Sequence, residues 1–205
     1  TQSVVKAFDP KGAVVLEVFS ETPAAAAGIL AGDQILTINR AAPVDLMDFL
    51  DKVADGPATL EILRGDKILT TTLTADPELP VGIQFTDTLF NRVKTCRNKC
   101  VFCFMDQMPK KMRPSLYYRD DDYRLSNLHG NFITLTNLSN EEWKRIENQM
   151  VSPLYVSVHA TDRKLREELL GSTKQADMDI MMALDGFGLD YIEQPLAWDD
   201  IHDHA

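Results

Sequence analysis

The chain has 205 residues, 44% hydrophobic and 25% charged, which suits one large globular domain or two small ones. Its formal net charge of −10 argues against general nucleic-acid binding, which needs cationic surface to displace counterions from phosphate. No apolar run reaches the length that spans a bilayer, the opening TQSVVKAFDPKG lacks the layout of a secretory signal, and three clustered cysteines make no disulfide framework, so no membrane partner and a reducing, cytoplasmic setting are expected.

Residues 13–19, AVVLEVF, are apolar and β-branched and predict a strand. ETPAAAAGI predicts a helix with Thr22 as N-cap, Pro23 at the first helical position and Gly28 as its stop. GDQILTINR gives a turn at Gly32-Asp33 and then a strand, and VDLMDFLDKVA sets Leu46, Phe49, Leu50 and Val53 on one helical face. ATLEILR and KILTTTL flank Gly65-Asp66, a tight-hairpin signal. This order, and the wording of SETPAAAAGILAGDQILTINRAAP, resemble a PDZ domain of the bacterial, permuted kind over roughly residues 5–75. The resemblance implies capture of a peptide or a protein C-terminus by addition to a sheet edge, with backbone amides holding the terminal carboxylate. Gly12, Ala13 and Val14 sit where that loop and edge should lie. A groove occupied within the molecule, or unused, is the alternative, and the sequence leaves both open.

Residues 76–92, DPELPVGIQFTDTLFNR, carry two prolines and short apolar patches and read as a connector leading into a strand near the cysteines. NFITLTN (131–137) predicts a strand, and LSNEEWKRIENQM a helix with Ser139 and Glu142 as a capping box and Trp143, Ile146 and Met150 on one face. LYVSVHA (154–160) is another strand and TDRKLREELLG another helix, ended by Gly171. This alternation predicts an α/β fold with parallel strands and right-handed crossovers, its chemistry at the carboxyl ends of the strands.

TCRNKCVFCF holds every cysteine of the chain, Cys96, Cys100 and Cys103, spaced C-x-x-x-C-x-x-C. A closed structural zinc site needs four ligands, and neither His129 nor His159 has a zinc-finger spacing to these three. A cuboidal 4Fe–4S cluster usually takes four thiolates, so three leave one iron open to a small molecule. Arg92, Lys94, Arg97, Lys99, Lys110, Lys111 and Arg113 crowd this stretch and would favour thiolates and an anionic centre, although some of them read as a solvated loop.

The cysteine loop, with Phe102 before its last thiol, resembles the signature of the radical SAM superfamily. TCRNKCVFCFMDQMPKKMRPSLYYRDDDYRLS, GNFITLTNLS and SPLYVSVHATD further resemble the radical SAM family that carries an N-terminal PDZ domain. The resemblance implies that Cys96, Cys100 and Cys103 each ligate one iron of a 4Fe–4S cluster and that the fourth iron chelates S-adenosylmethionine. It also implies an electron donor as a partner, reductive cleavage of the sulfonium, and hydrogen-atom removal from a substrate by the resulting 5′-deoxyadenosyl radical. Phe102 would lie beside the adenine. The family's amino-group motif, often Gly-Gly-Glu, reads TLTN here, where Thr136 and Asn137 offer oxygen acceptors.

His159 ends an apolar strand and either touches the cofactor or substrate or caps the next helix, half-buried; His129, before Gly130, reads as structural. Asp120, Asp121 and Asp122 either bind a cation or basic substrate or form a solvated run neutralised by Arg119 and Arg124, although three flanking tyrosines argue against full exposure. No catalytic residue is assigned.

The expected division is a PDZ-like domain at 1–75, a connector at 76–92, the first part of a radical SAM (β/α) barrel at 93–171, and an atypical tail at 172–205. Within that tail LDGFGLDYIEQPLAWDDIHDHA resembles the enolase superfamily, near its acylamino-acid racemases and dipeptide epimerases. Glu193 would there be a magnesium ligand, but its companions are missing, so a carried-over fragment and a join between about 171 and 184 are expected. The leading reading is the cluster- and S-adenosylmethionine-binding portion of a radical SAM oxidoreductase. Its rival is a PDZ peptide-binding module whose cysteine loop holds structural zinc or no metal.

Overall fold

A computed structural model describes residues 12–160 and 162–171. The expectations for 172–205, Glu193 and the join included, lie outside the described residues. The chain divides into two compact units, Gln2–Val93 and Lys94–Ala205.

The first unit runs β1 (Ala13–Val18), α1 (Pro23–Ala26), β2 (Gln34–Ile38), α2 (Leu46–Ala54), β3 (Ala58–Arg64), β4 (Lys67–Leu73) and β5 (Ile83–Phe85). Its strands form one antiparallel sheet in the order β4-β3-β2-β1-β5. Alternation decides which face of β3 is inside: Ala58, Leu60 and Ile62 are buried while Thr59 and Glu61 are exposed. Gly65, at φ +60°, opens the two-residue turn that sets Arg64 opposite Lys67. Thr22 caps α1 with Pro23 as its first residue, and Asp45 caps α2 by accepting from the Asp48 amide at 2.9 Å. Val15, Ile38, Phe49, Val53, Leu60, Leu73 and Phe90 share one core, each large side chain worth about 1.5–3 kcal/mol when buried.

Two expectations change here. Residues 76–92 supply a strand and a core side chain rather than a plain connector, because β5 pairs with β1 and Phe90 enters the core. Nor do Gly12–Val14 lie at a sheet edge: β1 is bonded to β2 on one side and β5 on the other. Val14 pairs with Gln34, and its carbonyl accepts from the Thr86 amide at 2.9 Å. A peptide strand has nowhere to add there, and the outer strand on that side is β5.

The unit also carries an ion pair between a buried carboxylate and a partly exposed arginine. Arg64 Nε donates to Asp33 Oδ1 at 2.8 Å and Nη2 to Oδ2 at 2.7 Å. Burial pushes the Asp33 carboxyl up, but the bonds from Arg64 and the Leu30 amide outweigh it and hold the group below its ordinary value.

The second unit runs α3 (Phe104–Gln107), a 3-10 turn at Pro114–Tyr117, α4 (Tyr123–His129), β6 (Phe132–Ile133), α5 (Asn140–Asn148), β7 (Tyr155–Val156) and α6 (Arg163–Leu170). The expected parallel pairing is present, with Phe132 opposite Tyr155 and Ile133 opposite Val156. Both strands are shorter than their apolar runs suggest. The Thr134 amide turns to Asp121 Oδ1 instead of continuing the ladder, and Leu135 adopts φ +58°. On the other strand His159 adopts φ +65°. Ser139 and Glu142 form the capping box of α5, and Gly171 closes α6 in the left-handed region. Helix α4 has Asp122 as its N-cap and Gly130 as its C-cap. Among the described residues the strands close no barrel, and no helix is long and apolar enough to cross a membrane.

Candidate functional site

All three cysteines, Phe102 and His159 line one cavity of about 490 Å³ in the second unit. The strand ends contribute Phe132, Thr134 and Ser157, and the stretch before α4 contributes Tyr118, Arg119, Asp120 and Asp121. The volume is within the range of small-molecule pockets, and the lining is mainly apolar.

The thiols are free and partly buried. Burial, with the neighbouring Asp121 charge, pushes the Cys96 thiol up to about 11, and burial with the Cys103 thiol next to it also raises Cys100. The Cys103 amide donates to the Cys100 carbonyl at 3.1 Å, which tightens the second half of the loop. Among the described residues no group of three His, Cys, Asp or Glu is placed to hold a metal ion by itself. The three thiols share one cavity.

Phe102 and His159 stack loosely, with ring centroids 5.0 Å apart and planes inclined by 34°. His159 Nδ1 is buried without a hydrogen-bond partner. Burial and the Arg166 charge push its pKa down to about 4, so the ring is neutral at physiological pH.

Thr136 and Asn137, the expected acceptors for a cofactor amino group, do not line the cavity. Thr136 is buried and donates to Asn98 Oδ1 at 3.1 Å. Asn137 donates to the Asp121 carbonyl at 2.9 Å, and its own Oδ1 is buried without a partner.

The acidic run is not a solvated face. Asp121 and Asp122 are 2% and 0% exposed. Asp122 pairs with Arg124 at 2.7 Å and accepts from the Lys94 amide at 2.9 Å. Arg119 pairs with Asp106 rather than with its neighbours in sequence. Burial raises the Asp121 pKa, against two bonds from Thr134 that pull it down.

Asn98 is a cavity-lining residue to which the sequence reading assigned no role. It lies between Cys96 and Cys100 and is 7% exposed. Its Nδ2 donates to Thr134 Oγ1 at 3.0 Å, and Thr134 Oγ1 stands 2.7 Å from Asp121 Oδ2 and 2.9 Å from Thr136 Oγ1. Asn98, Thr134, Thr136 and Asp121 therefore make four contacts, counting that of Thr136 with Asn98. The network joins the cysteine loop, the end of β6 and the stretch before α4 through side chains alone. The only signal in the sequence was a polar residue inside a ligand-bearing loop, opposite a Thr-x-Thr strand end.

In the first unit, the segment after β5 folds back on the start of α2. The Leu46 amide donates to the Thr88 carbonyl at 2.9 Å and the Phe90 amide to the Val44 carbonyl at 3.0 Å. Phe85 meets Phe49 edge-on at 5.0 Å and Phe90 at 4.8 Å.

A family model described as a radical SAM-like domain matches residues 75–204, and the PDZ domain model matches residues 2–74. Among solved structures, the PDZ domain of the SdrC-like protein of Listeria innocua is similar at 21% identity and a TM-score of 0.33, over 39% of this chain and 99% of that one. The corresponding domain from Listeria monocytogenes gives 24% identity and 0.33, over 40% and 95%. None of the curated proteins matches.

Proposed function

The chain belongs to the family of radical SAM-like domains, with a PDZ domain ahead of it, and on that premise we propose that its second unit holds a 4Fe–4S cluster and S-adenosylmethionine. Cys96, Cys100 and Cys103 would each hold one iron. The observation that carries this reading is three free thiols on the wall of one small-molecule-sized cavity. Ligands divided among several irons need no common centre. When bound, the group would supply one-electron cleavage of a sulfonium and hydrogen-atom removal from a substrate.

The residues have separate tasks. Cys96 and Cys100 are protonated in the metal-free chain, so loading releases their protons to solvent. Phe102 and His159 offer adjoining flat faces suited to an adenine ring. A neutral His159 adds no charge beside a sulfonium. Asp120, rather than Thr136 and Asn137, is the carboxylate at the cavity wall able to face an ammonium group. The first unit would serve as the docking module, taking a peptide or protein C-terminus on the outer edge of β5, and an electron-transfer protein would supply the reducing electron.

Anaerobic reconstitution with iron and sulfide tests the reading. A brown protein with about four irons per chain is expected. Reduction should then cleave S-adenosylmethionine, and Cys100→Ala should lose the colour. One zinc per chain with no chromophore would overturn it in favour of a structural loop.

A further inference from the structure

The cysteine loop is anchored on two sides. On one, the Lys99 amide donates to the Leu170 carbonyl at 2.9 Å and the Val101 amide to the Leu169 carbonyl at 3.0 Å. These are backbone bonds that any residue could make. On the other side the anchor is a side chain. Asn98 is the one buried residue between Cys96 and Cys100, and its amide is bonded on both ends to hydroxyls beyond β6. Arg97 and Lys99 beside it are exposed. Cys96 is itself tied down through its amide, which donates to the Arg119 carbonyl at 3.0 Å, next to the Asp121 that closes the network.

We propose that Asn98 is the positioning residue of the cysteine loop: bridging Thr134 and Thr136, it sets the direction in which Cys96 and Cys100 face the cavity before any iron arrives. The inference rests on the proposed cluster for its purpose, but not for its geometry. A carboxamide is required because one end must donate and the other accept. An aspartate of the same shape could not donate, and it would bring a second carboxylate to the Asp121 network. Thr136 therefore serves the loop from across the strand, which explains why it does not line the cavity.

Site-resolved labelling of the metal-free full chain with a thiol reagent, read by mass spectrometry without oxygen, tests this. Asn98→Ala should raise the labelling rates of Cys96 and Cys100 at least tenfold and leave Cys103, which lies outside the stretch that Asn98 holds between them, within twofold. Thr136→Val should shift the same two thiols in the same direction, and Thr136→Ser, which restores the hydroxyl, should label like the unaltered chain. If Asn98→Ala does not fold, the two Thr136 variants carry the test. After reconstitution, the reduction midpoint should move in Thr136→Val and stay in Thr136→Ser. Labelling at unaltered rates in Thr136→Val, or an equal rise at Cys103, overturns the proposal. Failure of the unaltered chain to take up iron overturns the cluster reading alone, since the labelling needs no metal.

Discussion

Asp121 Oδ2 and Thr134 Oγ1 stand 2.7 Å apart, and a second bond joins Oδ1 of the same carboxyl to the Thr134 amide at 2.7 Å. Burial raises the pKa of this carboxyl, while the two bonds from Thr134 pull it down. Asp121→Asn keeps the shape, an acceptor for the Thr134 amide and a polar partner for its hydroxyl, and removes the charge. It should change stability by less than about 1 kcal/mol, whereas Asp121→Ala should cost about 2–3 kcal/mol by leaving the Thr134 amide without its acceptor. Urea unfolding followed through tryptophan fluorescence reads this unit selectively, because Trp143 and Trp198 both lie beyond residue 93. Equal losses in the two variants would show that the charge, and not the hydrogen bonding, is what the site needs.

His159 sets an acid limit. Its pKa is held down at about 4 by burial and by the Arg166 charge, against an ordinary value of 6.5. Between these values the unfolded chain binds a proton that the folded one refuses. The stability of the second unit should therefore fall as pH drops from 6.5 to 4, by up to about 3 kcal/mol. His159→Gln should flatten that limb in urea titrations across this range; an unchanged slope would refute the assignment.

Gly171 permits the close approach of α6 to the cysteine loop. A Cβ there would come 2.5 Å from the Lys99 carbonyl oxygen, and φ is +59°. Gly171→Ala should cost about 2 kcal/mol from backbone strain and displacement together. Amide hydrogen exchange at Lys99 and Val101 should speed up with it, since both donate to the end of α6. Protection equal to that of the unaltered chain would mean that the loop and helix part without consequence.

Phe90 belongs to the core of the first unit although it lies beyond the hairpin strands. Phe90→Ala should cost about 3 kcal/mol or more, as large-to-small core substitutions do. Exchange protection in β1 and β5 should drop together. A loss below about 0.5 kcal/mol, the level of a surface change, would return residues 76–92 to the role of a connector.

The first unit was largely legible in the sequence because its signals are local. Thr22 and Pro23 start a helix, Gly65-Asp66 closes a hairpin, and alternation assigns the faces of β3. β5 was missed because GIQF is short and follows closely on two prolines, and only its pairing with β1 makes it a strand. That pairing also moves the sheet edge away from Gly12–Val14. In the second unit the capping box at Ser139 and the stop at Gly171 were readable for the same local reason. Helix α4 was hidden because the run of aspartates before it looks like solvated charge, when Asp122 is in fact a buried cap paired with Arg124.

By itself the sequence determined the chemistry on offer: three thiols at fixed spacing, an aromatic beside the last, and no fourth cysteine. Covalent connectivity brings those groups near one another whatever the fold. The tertiary structure decided what faces them. Two strand ends placed His159 against Phe102, while Thr136 was turned away from the cavity to hold Asn98. Residues 38 positions apart meet only when parallel strands and their crossovers pack, and no local pattern encodes which of two neighbouring hydroxyls will point to the cavity and which to the loop.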